Sequence, residues 1–432
     1  MALQPKQHIA DIQPGTHGGI NFCAPAAGGE AIPAQRSDCR GRGGGLAMTG
    51  LKGSRGQRSN PVADTKTSLR GAQRRSNPVA YTKTSLREAR RRRSNLSDRF
   101  EEILDFSTCC NPYGPPPSVH GALNKADIAL YPDPDCREFI GLLSRKIGAP
   151  KENLIATGGS TELLRLAALA YTGPGDAVVI PSPTYGEYEL ACKIANARIV
   201  KYQIKEGTGF RLAAADFISF ARNYRPSAIF ICNPNNPTGQ YLCFGDIEKI
   251  VSSFPDTLII LDEAYVAFTA AAWDSLKLLH HPNILIVRSM TKDFALAGLR
   301  LGYGIASQEI VNTLKKVRPP WNVNTAAQQA GIATLNSTGY MKRCNALINN
   351  GKNYLVAQLE SLGYRVLATD TNFFLVRVGN AGKFQQGLLA KGFLVRDCSS
   401  FGLPGYIRVA PRRMQDCHDL IAAIISMQSE VK

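Results

Sequence analysis

Six short, strand-length runs recur between segments of helical period, and five of them are almost wholly apolar. The runs are Ala177–Pro181, Arg198–Tyr202, Ala228–Cys232, Leu258–Asp262, Ile284–Arg288 and Tyr303–Ala306. A strand open to water on one face alternates apolar and polar residues, so a nearly continuous apolar run implies cover on both faces. The intervening segments predict helices over Ser160–Tyr171, Glu187–Ala195, Ala213–Ala221, Phe244–Ser253 and Gln308–Val317. Strand and helix in alternation predict an α/β fold with a mainly parallel sheet. From about Thr338 the order helix, strand, helix, strand, helix predicts a smaller C-terminal α/β lobe.

Residues 1–95 read differently. They are rich in Gly, Ser, Arg and Pro, and a 13-residue unit occurs twice, at Arg58–Arg70 and Arg75–Arg87, with a third start at Arg93. Polar repeats of this kind bury too little apolar surface to offset backbone entropy, which predicts disorder. Of the net charge of +17, this segment holds 17 Lys/Arg against 5 Asp/Glu, or +12, leaving +5 for the remainder. The basicity therefore does not mark the main domain as a nucleic-acid binder. The segment itself has three readings: an upstream repeat outside the enzyme proper, a solvated tail that grips nucleic acid or an acidic surface, or an Arg/Ser-rich targeting segment. No run approaches the roughly 18 apolar residues of a membrane span. The eleven cysteines form no CxxC pair, which predicts free thiols in a reducing, cytoplasmic setting, with no disulfide framework and no zinc site.

Four segments carry chemistry. In Thr157-Gly-Gly-Ser-Thr-Glu162, two glycines end an extended stretch and Ser160 opens a helix; free N–H groups there suit an anion, although a plain helix cap reads the same way. Cys232-Asn-Pro-Asn-Asn-Pro-Thr-Gly239 is a loop fixed by two prolines at the end of a buried strand, where α/β folds place ligands. In Leu258-Ile-Ile-Leu-Asp-Glu-Ala-Tyr265, Asp262 ends an apolar strand; it reads either as a helix-capping residue or as a buried carboxylate needing a cation such as a protonated pyridine nitrogen. In Ser289-Met-Thr-Lys-Asp-Phe-Ala-Leu-Ala-Gly-Leu-Arg-Leu-Gly-Tyr303, Lys292 stands between a strand and a Gly-rich segment, where a desolvated amine suits Schiff-base chemistry.

These four motifs, in this order, resemble the fold type I pyridoxal-phosphate (PLP) aminotransferases. Within that group the chain is most similar to the histidinol-phosphate aminotransferase family and to its relative, threonine-phosphate decarboxylase, from about Phe106 to the C-terminus. The resemblance implies a basic extension (1–95), an N-terminal arm and lid (96–145), a large PLP-binding domain (146–335) and a small domain (336–432). It implies that Lys292 carries PLP and shuttles a proton, and that Asp262 keeps the pyridine nitrogen protonated. Asn236 and Tyr265 would bond the phenolic oxygen and Tyr185 would stack on the ring. Gly159, Ser160, Thr161, Ser289, Thr291 and Arg300 would hold the phosphate. Tyr131, in Ala129-Leu-Tyr-Pro-Asp-Pro134, would reach the phosphate of a partner subunit, implying a homodimer with shared sites. Arg408 would face a substrate carboxylate, and Tyr113 and Arg396 a phosphorylated substrate. Ser160-Thr-Glu-Leu163, Thr291-Lys292 and Asp105-Phe-Ser107 lean toward the decarboxylase; Tyr113, Asp262-Glu-Ala-Tyr265 and Leu296-Ala-Gly298 lean toward the aminotransferase. The expected reaction is transamination of an amino acid or phosphorylated amine.

Overall fold

The structure, a computed structural model, describes residues 103–367 and 369–430. The expectations for residues 1–95 lie outside the described residues. The strands in chain order are β1 (Leu104–Asp105), β2 (Leu154–Thr157), β3 (Ala177–Ser182), β4 (Arg198–Gln203), β5 (Ala228–Cys232), β6 (Leu258–Asp262), β7 (Ile284–Ser289), β8 (Gly302–Ala306), β9 (Arg365–Val366), β10 (Phe374–Arg377), β11 (Phe393–Leu394), β12 (Arg396–Asp397) and β13 (Tyr406–Val409).

A seven-stranded sheet runs β2-β8-β7-β6-β5-β3-β4. Pairing is parallel from β7 to β4 and antiparallel for β7 with β8 and β2 with β8. The antiparallel edge has a local cause: no crossover helix separates β7 from β8, only the segment that holds Lys292. Alternate residues feed opposite cores. Ala228, Phe230 and Ile260 pack with Leu163, Tyr188 and Ile310 on one face. Ile229, Ile231, Ile259 and Leu261 pack with Phe217, Ile247 and Phe139 on the other. Burial on both faces explains the all-apolar runs, each fully buried Ile, Leu or Val contributing about 1.5–3 kcal/mol. β4 is the exception that the sequence already marked: it is the sheet edge, and Arg198 and Lys201 on it are exposed.

Strand order reverses direction between β3 and β5. The chain steps from β3 outward to β4, then returns to β5 on the other side of β3. The crevice beyond the C-terminal strand ends at such a reversal is where open α/β sheets bind ligands.

The C-terminal lobe holds more strands than the sequence reading gives it. A four-stranded sheet, β12-β13-β10-β9, packs under the helices Tyr340–Ser361 and Met414–Ser429. Two of its strands, β9 and β12, are two-residue pieces, too short to show a period of two. β1 of the arm joins β11 in parallel, Leu104 opposite Phe393.

Candidate active site

Three strand ends supply the floor of one small pocket of about 60 Å³, lined by Ser160, Tyr185, Cys232, Asn236, Asp262, Ala264, Tyr265, Ser289 and Lys292. Seven of these are residues singled out from sequence. They meet because β5, β6 and β7 are in parallel register and end together, with Cys232 opposite Asp262 and Asp262 opposite Val287.

Asp262 is buried at 3% exposure. Its Oδ2 accepts from the Tyr188 hydroxyl at 2.8 Å and its Oδ1 from the Ala264 N–H at 2.9 Å. Burial pushes its carboxyl up to about 6, against the pull of those two donors. Its neighbour Glu263 is spoken for: Oε2 accepts from Arg288 Nε at 2.7 Å and from Ser275 Oγ at 2.9 Å. Asp262 has no cationic partner among the described residues, so a protonated ring nitrogen meets its need. Tyr188 was not found from sequence. It sits one residue into the helix Glu187–Ile194, three after Tyr185, with its ring stacked on Phe230 and edge-on to Tyr185.

The phosphate end is built from two close backbones. Gly159 has φ +91°, and a Cβ there would lie 2.8 Å from Arg300 Nη2, so only glycine admits the guanidinium. Arg300 itself has φ +62° and donates from Nη1 to the Ala297 carbonyl at 2.9 Å. Ser160 N lies 2.6 Å from where a Cβ on Gly302 would stand. Ser289 Oγ and Thr291 Oγ1 lie 2.8 Å apart, and Thr161 is close enough to hydrogen-bond the Tyr185 hydroxyl. The cap that competes with the anion reading is made by Glu162: its Oε2 accepts from Gly158 N at 2.5 Å and Asn322 Nδ2 at 2.7 Å. Ser160 does not cap the helix with its side chain.

Lys292 has no acidic partner among the described residues; its Nζ approaches Cys110 Sγ at 3.9 Å. The arm lies on this loop: Asn111 donates its backbone N–H to the Lys292 carbonyl at 2.8 Å and its Nδ2 to the Asp293 carbonyl at 3.0 Å. Tyr113 packs against the cluster containing Tyr265 and Phe373, and Tyr340 ties the turn down by donating to the Gly114 carbonyl at 2.7 Å. Tyr340 is a further residue that sequence reasoning missed, whereas Asn111 opens the Asn111-Pro-Tyr-Gly-Pro115 segment that resembles the family's lid.

Arg408 is buried at 7% exposure. It donates to Asn236 Oδ1 and, from Nη2, to the Ser107 carbonyl at 2.8 Å. Its Nε is buried without a partner, and no carboxylate among the described residues pairs with it. Arg396 stands directly opposite Arg408 in the β12–β13 ladder, so both side chains leave the same face. Arg396 is exposed and bonds Ser400 Oγ at 2.8 Å. Tyr131 is outside the pocket of its own chain, 78% exposed and stacked on Trp321 at 4.4 Å.

The residues present fit PLP: an amine without an ion-pair partner, a buried carboxylate lacking a cation and a glycine cradle beside an arginine. Comparison with known proteins agrees. The profile of the family described as aminotransferase class I and II matches residues 101–424. A histidinol-phosphate aminotransferase of Moorella thermoacetica is 36% identical over 327 residues, covering 72% of this chain and 81% of that enzyme. The structure of the histidinol-phosphate aminotransferase of Clostridium acetobutylicum superposes with a TM-score of 0.70 at 26% identity, over 76% of this chain and all of the other. The L-threonine-O-3-phosphate decarboxylase of Porphyromonas gingivalis does so with a TM-score of 0.67 at 26% identity, over the same shares of the two chains. The chain belongs to the aminotransferase class I and II family and is a PLP-dependent enzyme of the fold type I group.

Proposed function

We propose that the chain transfers the amino group of a phosphorylated amine of the histidinol-phosphate kind to a 2-oxo acid, which becomes the amino acid. The observation that carries this reading is the Arg408–Arg396 pair. Like charges directly opposite on neighbouring strands repel, and a buried guanidinium without an anion is costly. A substrate anion relieves both. The two half-reactions of a transaminase share one site, and they ask for different anions. An amino acid or 2-oxo acid brings a carboxylate, for which the planar fork of Arg408 is suited. Histidinol phosphate brings no carboxylate but a phosphate, and Arg396 is the cation nearer solvent for it. A cavity of about 460 Å³, lined in part by Tyr185, Ser400 and Phe401, adjoins this region and offers room for the substrate body.

PLP, when bound, supplies an electron sink that labilises bonds at the substrate α-carbon. The chain's residues supply the rest. Lys292 would hold the cofactor and move the proton at the α-carbon. Asp262, oriented by Tyr188 and the Ala264 N–H, would keep the ring nitrogen protonated. Asn236 and Tyr265 would donate to the phenolic oxygen, and Tyr185 would cover the ring. Ser160, Ser289, Thr291, Arg300 and the N–H groups at Gly159–Thr161 would take the phosphate. Tyr113, on the arm, would close over the substrate.

The same reading divides the chain into an arm (96–145), a large domain (146–335) and a small domain (336–432), and places it in the cytoplasm as a homodimer. Ile128 (86% exposed), Leu130 (55%) and Tyr131 (78%) form an apolar patch with Trp321 beside it, which a second copy would cover while receiving Tyr131 at its phosphate site. The decisive assay compares kcat/KM for histidinol phosphate and unphosphorylated histidinol. A strong preference for the phosphorylated amine, reduced in Arg396→Ala, is expected; equal use of both would reject the assignment.

A further inference from the structure

We propose a second, unrelated binding site: Glu248, His280 and His281 form a seat for a divalent transition-metal ion of the zinc class. Glu248 lies in the helix Phe244–Ser253, and His280 ends the 3-10 turn Ser275–His280, just before the chain enters β7. His281 Nε2 stands 2.9 Å from Glu248 Oε1, and His280 Nε2 stands 3.3 Å from the same oxygen. One ligand atom from each residue falls within 4.8 Å of the others.

The hydrogen bonding around the cluster is what points to a cation. His280 Nδ1 lies 2.7 Å from the Lys277 carbonyl. A carbonyl only accepts, so Nδ1 carries the proton, and a neutral ring then presents a lone pair at Nε2. In that neutral form the lone pair faces a carboxylate oxygen, acceptor against acceptor. The other carboxylate oxygen, Glu248 Oε2, is buried with no partner. A metal ion resolves both conflicts, and an N–H donated to a backbone carbonyl is the usual outer support of a metal-binding imidazole. Two imidazoles and one carboxylate suit zinc, nickel or copper rather than magnesium or calcium. Three protein ligands leave a position for water, and His280, whose side chain is 59% exposed, gives the ion a way in. The site is at the N-terminal edge of the sheet. β7 separates it from Ser289 by roughly 20 Å at about 3.3 Å per residue, so the ion would brace the helix against the entry to β7 and take no part in the chemistry.

The test is calorimetric titration of the PLP-loaded protein with zinc, and separately with magnesium. One zinc per chain is expected, together with a raised melting temperature and no magnesium binding. Glu248→Gln and His281→Ala should each weaken zinc binding on the order of 100-fold and abolish the thermal shift, with turnover unchanged. Cys243→Ser, at the exposed thiol that precedes the helix Phe244–Ser253, should leave binding intact. Zinc binding equal in wild type and Glu248→Gln, binding lost only in Cys243→Ser, or no zinc binding at all would overturn the site.

Discussion

The floor of the pocket and its rim are made of different material. Asp262 ends a strand buried on both faces, Asn236 and Lys292 each follow within a few residues of one, and β5, β6 and β7 share one register. Arg408, Arg396, Ser107 and Tyr113 come from two- and four-residue strands and from the arm, meeting only where β13, β12 and the arm converge. The floor faces a cofactor that never varies, so a rigid scaffold suits it. The rim faces two substrates in turn, and its arginines hang on short, separately placed pieces. Changes in the floor should therefore cost the chemistry with any substrate, and changes in the rim should cost one substrate more than the other.

The largest effect belongs to Lys292→Ala, which should lose nearly all turnover with every substrate and the cofactor's absorbance band, read by spectrophotometry of the reconstituted protein. Asp262→Asn comes next. Breaking a buried charge pair costs about 3–5 kcal/mol, or roughly a thousandfold, and kcat should fall by that order for both half-reactions, measured by stopped flow.

Asp262 also sharpens the comparison through pH. Its folded pKa is raised to about 6 above an ordinary carboxyl near 4. A raised carboxyl favours the fold only while protonated, so this contribution is present below about pH 4 and is lost as pH rises through about 6. The cofactor-free protein should lose about 3 kcal/mol from this group over that window. Asp293, buried beside Lys292 and pushed up to about 7, adds a loss of the same sign. Bound PLP should remove the Asp262 part, as should Asp262→Asn, in denaturant melts across pH. A cofactor-free protein whose stability is flat from pH 4 to 7 would contradict this.

Arg408→Lys tests the rim. A single ammonium cannot replace the fork, and a charged hydrogen bond is worth about 1.5–3 kcal/mol, so KM for the amino-acid or 2-oxo-acid partner should rise roughly 10- to 150-fold with a smaller change for the phosphorylated amine. The smallest effect is expected of Arg396→Ala, about tenfold in KM for the phosphorylated amine alone, since its exposed position weakens its pull. Equal losses for both partners in either variant would erase the distinction between floor and rim.

The floor was legible in the sequence and the rim much less so, for the same reason. Asn236, Asp262, Tyr265, Lys292 and Arg300 sit in contiguous segments whose strand-then-loop pattern shows where the chain leaves the sheet. Local pattern showed the five mostly apolar strands and where their loops begin, and the resemblance carried by the four motifs supplied the roles expected of the residues there. The bond from Tyr188 to Asp262, the seat of Asn111 on the Lys292 loop and the register of Arg396 with Arg408 join residues far apart in sequence. Each depends on pairings that no local pattern encodes. The two-residue strands of the C-terminal lobe escaped likewise, being too short to show an alternation of period two.

The most direct test is a single turnover of the PLP-loaded protein offered histidinol phosphate and, separately, threonine phosphate, following the cofactor spectrum and released carbon dioxide together. Conversion to the pyridoxamine form by histidinol phosphate, with no carbon dioxide from threonine phosphate, is the predicted result. Carbon dioxide released from threonine phosphate with the starting spectrum restored would contradict it and make the chain a decarboxylase.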